Sequence, residues 1–293
     1  MPLPFFAKIA ETIGQALGRP VHLSAHYDCS GPAPGDENPF ADGQADLGFV
    51  CAPSYLALAA AVSSGLAGPT VKLVGVAPVF DDPRNEGRPV YFCDVVVRQT
   101  DRSATLDALR GRRFGYNDPM SLSGLWGMEQ HLQRRGEALR DFFGPVVQTG
   151  SHPASIAALC RGEIDAATLD STLLLLARRG AHPTIRQDEP IRVLKSIGPW
   201  PVQPLVARTD LAPDVCRAIQ QALLAAGPWP QYALTGFGAQ DHDAISAALP
   251  ATDRSSACTS CRCHRCTGHS GRPCDRSLRA MRGAGPDAQP GAR

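Results

Sequence analysis

Three groups of small polar and ionisable residues carry the chemistry legible in this chain. Ser121, Ser123 and Gly124 lie in the run Asp118-Pro119-Met120-Ser121-Leu122-Ser123-Gly124, His152 in Gly150-Ser151-His152-Pro153, and Asp170 in Asp170-Ser171. Serine hydroxyls and the free amides of a helix start donate hydrogen bonds, and the helix dipole turns its positive end the same way, so each group suits an anion. A histidine beside them can also donate. Asp170 is different. An ionised carboxylate only accepts, so beside an anion it requires a proton on the ligand, from a P–OH type group or from an ammonium. Tyr55, in the first turn of a helix expected after Cys51-Ala52-Pro53, offers a hydroxyl that could close over such a ligand. Each residue also has a plainer role: Ser121 and Asp170 as helix caps, His152 as loop packing, Tyr55 as a half-buried ring with its tip in water.

The elements that must position these residues repeat the pattern strand, turn, helix three times between Arg112 and Asp170. In an α/β sheet such handovers lie at the carboxyl edge, where ligands bind. Elsewhere, apolar spacing predicts helices over 4–18, 54–63, 105–109 and 212–226. Strands are expected over 21–27, 46–51, 71–80, 91–98, 191–196 and 203–207, with a Gly/Pro/Asp-rich loop at 29–43 and a rigid turn at Gly198-Pro199-Trp200-Pro201. Strands alternating with helices predict a mostly parallel sheet.

A chain of 293 residues with a net charge of +1 has no overall field for nucleic acid or an anionic membrane. No window approaches the ~18 consecutive apolar residues of a membrane span. The start, MPLPFFAKIAETIGQALG, lacks a basic region ahead of its short apolar run, so the chain as given reads as cytoplasmic, or as missing its true N-terminus. Cys51, Cys93 and Cys160 sit singly in apolar runs and read as small buried hydrophobes, without a disulfide framework. From 251 to 293 the chain is Arg- and Cys-rich and almost devoid of large apolar residues, which predicts a disordered tail. Cys258, Cys261, Cys263 and Cys266, with His264 and His269 nearby, are crowded too closely for two ordinary zinc-ligand pairs. The tail reads as frame-shifted or unselected sequence, and neither metal nor cofactor is expected.

Taken together, ADLGFVCAPSYLAL, YFCDVVVR, LDALRGRRFGYNDPMSLSG, GSHPASIAALCRGEIDAATLD and PWPVQPLVAR resemble, in order over about 40–250, the phosphate/phosphite/phosphonate ABC-transporter substrate-binding family. The resemblance implies an α/β fold of the type II periplasmic-binding-protein kind, two lobes joined by two crossing hinge strands. Lobe one would be 1–97 and 203–250, lobe two 98–202, with hinges near Val95–Arg98 and Val202–Val206. It implies a ligand site of Tyr55, Ser121, Ser123, Gly124, His152 and Asp170 with no catalytic residue. It further implies a small phosphate- or phosphonate-like oxyanion as ligand, ABC-transporter membrane subunits as partners, a monomer, and a periplasmic or membrane-anchored location. Two other readings share the fold: a small-molecule lyase or thiamine-precursor-type enzyme using His152 or a cleft cysteine, and a ligand-sensing module.

Overall fold

A computed structural model describes residues 1–24, 30–60 and 71–249. The tail from 251, with its crowded cysteines, lies outside the described residues, as do 25–27 of the expected first strand and 61–63 of the second expected helix. Val21–Ser24, the described part of that strand, forms none.

Helix α1 (Leu3–Leu17) buries Phe5, Ile9 and Ile13 along one stripe and stops where Gly18 turns left-handed at φ 62°. Strand β1 (Leu47–Phe49) leads into α2 (Ala52–Ala60). The expected strand 71–80 is two, β2 (Val71–Leu73) and β3 (Val76–Phe80), because Gly75 breaks it at φ 84°. Strand β4 (Val90–Arg98) follows, and then β5 (Phe114–Tyr116), a π-helical turn (Leu122–Trp126) and α3 (Gly127–Gln133). Next come α4 (Leu139–Phe142), β6 (Val146–Gln148), α5 (His152–Cys160), β7 (Ala166–Asp170) and α6 (Ser171–Arg178). The last described elements are β8 (Ile191–Pro201), β9 (Leu205–Arg208), α7 (Pro213–Leu224), β10 (Leu234–Ala239) and α8 (His242–Ala248).

The strands form a five-stranded sheet of order β6-β5-β7-β4-β8, a three-stranded sheet β1-β9-β2 and a two-stranded pair β10-β3. The large sheet is mixed, which corrects the expectation of a mostly parallel one. Among the described strands only β5–β6 and β5–β7 run parallel; β4 pairs antiparallel with both β7 and β8. The physical reason is that β4 brings the chain into this sheet and β8 takes it out, so the two lie back to back. The Gly198–Pro201 stretch, expected as a turn, continues β8, with shifts of register against β4 absorbing the irregularity.

Val90 to Arg98 pair with β8 along most of their length, with Val97, the expected lobe boundary, inside the strand. The chain passes between sheets at 81–89 and again at 202–204. The first passage is clamped. Asp82 caps the short 3-10 turn Pro83–Asn85 and pairs with Arg84. Arg84 in turn reaches Asp94, which is 1% exposed at its side chain, at 2.9 Å, and stacks over Phe92. Ser196 on β8 donates to the same carboxylate at 2.6 Å.

Removing Arg84 would leave Asp94 charged in the sheet core with only a serine. Arg84→Ala is expected to cost about 3 kcal/mol, the low end for a broken buried pair because a third of the Arg84 side chain already meets water. Denaturant unfolding checks this, and Ser196→Ala should cost less.

Candidate functional site

The first turn is built by its own side chains. After β5, Asp118 Oδ1 accepts the Met120 amide at 2.8 Å, and Ser121 caps the π-helical turn by accepting the Gly124 amide at 3.0 Å. Ser121 and Ser123 are each 1% exposed. The Ser121 oxygen is thus a cap, as its plainer reading holds, while its own hydrogen stays available to donate. Gly124 has a steric reason to be glycine: a Cβ there would lie 1.6 Å from Asn117 Oδ1. That Asn117 oxygen is buried without a hydrogen-bond partner among the described residues.

The second turn leads straight into a helix. Ser151 is the cap, accepting the Ala154 amide at 3.2 Å, and His152 opens α5 with Pro153 behind it. The Thr168 carbonyl lies beside the His152 ring, whose Nδ1 is buried with no partner at hydrogen-bond geometry among the described residues. Burial pushes the ring pKa down to about 4 against the opposing pull of Asp170, so the ring is neutral at pH 7.

In the third turn Asp170 caps α6, its Oδ1 accepting the Thr172 amide at 2.7 Å. Its Oδ2 accepts the side-chain amide of Gln203 at 3.0 Å. Gln203 belongs to the passage between β8 and β9, so this bond joins the third turn to the second place where the chain changes sheets.

Thr168 brings the turns together. Its buried hydroxyl donates to the Gly124 carbonyl at 2.5 Å, its own carbonyl lies beside the His152 ring, and Asp170 lies two residues further along β7. Around the Asp170 carboxylate, within its field, stand His152, His182, Cys51, Cys93 and Tyr91. Tyr91 lies beside the Ser123 hydroxyl, and its own hydroxyl, fully buried, has no partner at hydrogen-bond geometry among the described residues. Burial raises the Cys51 thiol to about 12, against the opposing pull of the Leu122 amide and the Ser30 hydroxyl nearby. The Met1 α-amino group is buried in the same field, its pKa lowered by burial against the attraction of Asp170.

Ser123, Gly124, His152 and Asp170 therefore lie around β7, with Ser121 capping the first turn. Tyr55 has a partner of its own. Its hydroxyl shares a 2.8 Å hydrogen bond with His242 Nδ1 at the start of α8, and burial raises its pKa. Sequence reasoning misses Cys51, Tyr91, Asn117, Thr168 and Gln203. Cys51 and Tyr91 pass there as parts of apolar strands, and nothing in the local pattern marks Gln203, whose partner is 33 residues away. A groove of about 420 Å³ lined by α1 and residues 19–23 contains none of these groups.

Over residues 5–249 the chain matches the family described as ABC transporter, phosphonate, periplasmic substrate-binding protein. No curated protein matches it. Solved structures share the fold. A binding protein component of an ABC phosphonate transporter from Pseudomonas aeruginosa superposes with a TM-score of 0.64 at 16% identity, over 84% of this chain and 80% of that one. A Prochlorococcus marinus protein in complex with methylphosphonate gives 0.62 at 15% identity, over 83% and 88%. The alkanesulfonate-binding protein of Xanthomonas axonopodis pv. citri bound to MOPS gives 0.51 at 18% identity, over 75% and 66%. These likenesses establish the type II periplasmic-binding-protein fold.

Two outcomes follow from the geometry. Gly124→Ala is expected to destabilise by about 1–3 kcal/mol through overpacking, and adding Asn117→Ala should recover part of the loss in denaturant unfolding. For pH, His152 and His182 both titrate at about 4 when folded, against an ordinary histidine value of 6.5, so the unfolded chain binds more protons between those values. Stability should be full above pH 6.5 and fall as the pH drops towards 4. In a pH series of unfolding curves His152→Asn should flatten that fall.

Proposed function

The chain belongs to the family of periplasmic substrate-binding proteins of phosphonate ABC transporters, and from that premise we propose that its own ligand is a small phosphonate held where the three turns meet. A family of this kind captures a solute and presents it to the membrane subunits of an importer. The observation that carries the site assignment is the convergence at β7: Thr168 binds the Ser121–Gly124 turn, its carbonyl lies beside the His152 ring, and Asp170 ends the same strand.

In this reading the Ser123 hydroxyl and the helix-start amides donate to the phosphonate oxygens, in charge-assisted bonds stronger than neutral ones. His152, neutral and with its Nδ1 unpartnered among the described residues, turns its one ring N–H to the ligand in the Nδ1–H tautomer. Asp170 accepts a P–OH proton. Tyr55 is the weakest member, because reaching the ligand requires its hydroxyl to leave His242. The protein closes on the ligand between the five-stranded sheet and the smaller sheets by bending at 81–89 and 202–204, the hinge mode of two-lobed binders. It acts in the periplasm, as its family does, works as a monomer, and releases its ligand unchanged. The complex of the Prochlorococcus marinus protein supports methylphosphonate as the first ligand to try.

Ser123→Ala and His152→Ala should each weaken methylphosphonate binding by about 1–3 kcal/mol in calorimetry, the cost of one lost bond to a charged group. Undiminished affinity in both variants would refute the site. Phosphorus NMR of the recovered ligand should show it unaltered; turnover would favour an enzyme.

A further inference from the structure

Among the described residues, Gln203 is the side chain from outside the three turns that hydrogen-bonds the Asp170 carboxylate, and its chemistry bears on which ligand fits. Its amide donates to Asp170 Oδ2 at 3.0 Å while the Thr172 amide donates to Oδ1 at 2.7 Å. Each carboxylate oxygen thus already has one donor and keeps about one lone pair for a ligand. The amide satisfies Asp170 without adding charge. A glutamate in its place would put a second carboxylate against the first.

We propose that Gln203 sets the specificity of this site: by capping Asp170 with a neutral amide it leaves one shared carboxylate, which takes a ligand offering a single P–OH and disfavours one with an alkylammonium arm. The proposal rests on reading Asp170 as a ligand contact. A P–OH needs one acceptor. A buried ammonium brings three N–H donors and a full charge, and its desolvation must be met by opposite charge and by acceptors. The surroundings supply little of either. Cys51, Tyr91 and His152 share the neighbourhood and are all held neutral by burial. Asp118, the other acid near Cys51, is committed to the Met120 amide.

The test is calorimetry of the full chain with methylphosphonate and with 2-aminoethylphosphonate. The wild type should bind methylphosphonate at least about tenfold more tightly, and Gln203→Glu should move that ratio about tenfold or more towards the amino ligand. Gln203→Met, which removes the amide without adding charge, should keep the wild-type preference even where it weakens both. A wild type that binds the amino ligand equally well or better overturns the proposal. So does a ratio unmoved by Gln203→Glu, or one moved as far by Gln203→Met. If Gln203→Glu does not fold, the wild-type ratio and the methionine variant decide. If the wild type binds neither compound, the phosphonate reading itself falls, and this inference with it. If both bind with the wrong ratio, only the role of Gln203 falls.

Discussion

Every candidate ligand group on the large sheet is registered against one strand. β7 lies between β5, which it meets in parallel, and β4, which it meets antiparallel. From that central place Thr168 reaches sideways to the Gly124 carbonyl and to the His152 ring, and the strand ends in Asp170. A buried hydroxyl left without its acceptor is costly, so Thr168 constrains the first turn as firmly as the ladder constrains the strand. The turns are separate in sequence, but a shift of β7 would displace them together.

Burial governs the electrostatics around them. Two thiols, a phenol and two imidazoles stand within the field of Asp170, and burial drives each towards its uncharged form. A neighbourhood of neutral groups lets amide and hydroxyl dipoles act on an incoming anion in a medium of low dielectric, where such dipoles count for more than in water. The same burial makes unmatched polar atoms expensive. The Tyr91 hydroxyl, Asn117 Oδ1 and His152 Nδ1, unpartnered among the described residues, are the places where a ligand or water would return the most.

The turns are legible in the sequence because they are local. Serine caps, the Pro153 start and the Asp170 cap each declare themselves within a few residues, and the helices α1 and α7 follow from apolar spacing. What cannot be read is long-range. The orientation of β4 depends on pairing with β8, about a hundred residues later, so the mixed sheet is invisible to local pattern. The Gly198–Pro201 stretch has turn composition, yet pairing with β4 holds it as strand. Tyr55 has the expected helix position, but its hydroxyl partner on α8 arises only in the folded chain.

The two passages between sheets touch: the Val202 amide donates to the Pro89 carbonyl at 3.1 Å. Gln240 adds a bond to the Val202 carbonyl at 2.9 Å. Sliding one part of the molecule past the other would tear the first of these bonds, whereas pivoting about it would leave it whole. Any movement of one sheet against the other that kept this bond would be reduced to something close to a single angle, like a door on one pin, and Gln203, one residue beyond Val202, would be carried along with it.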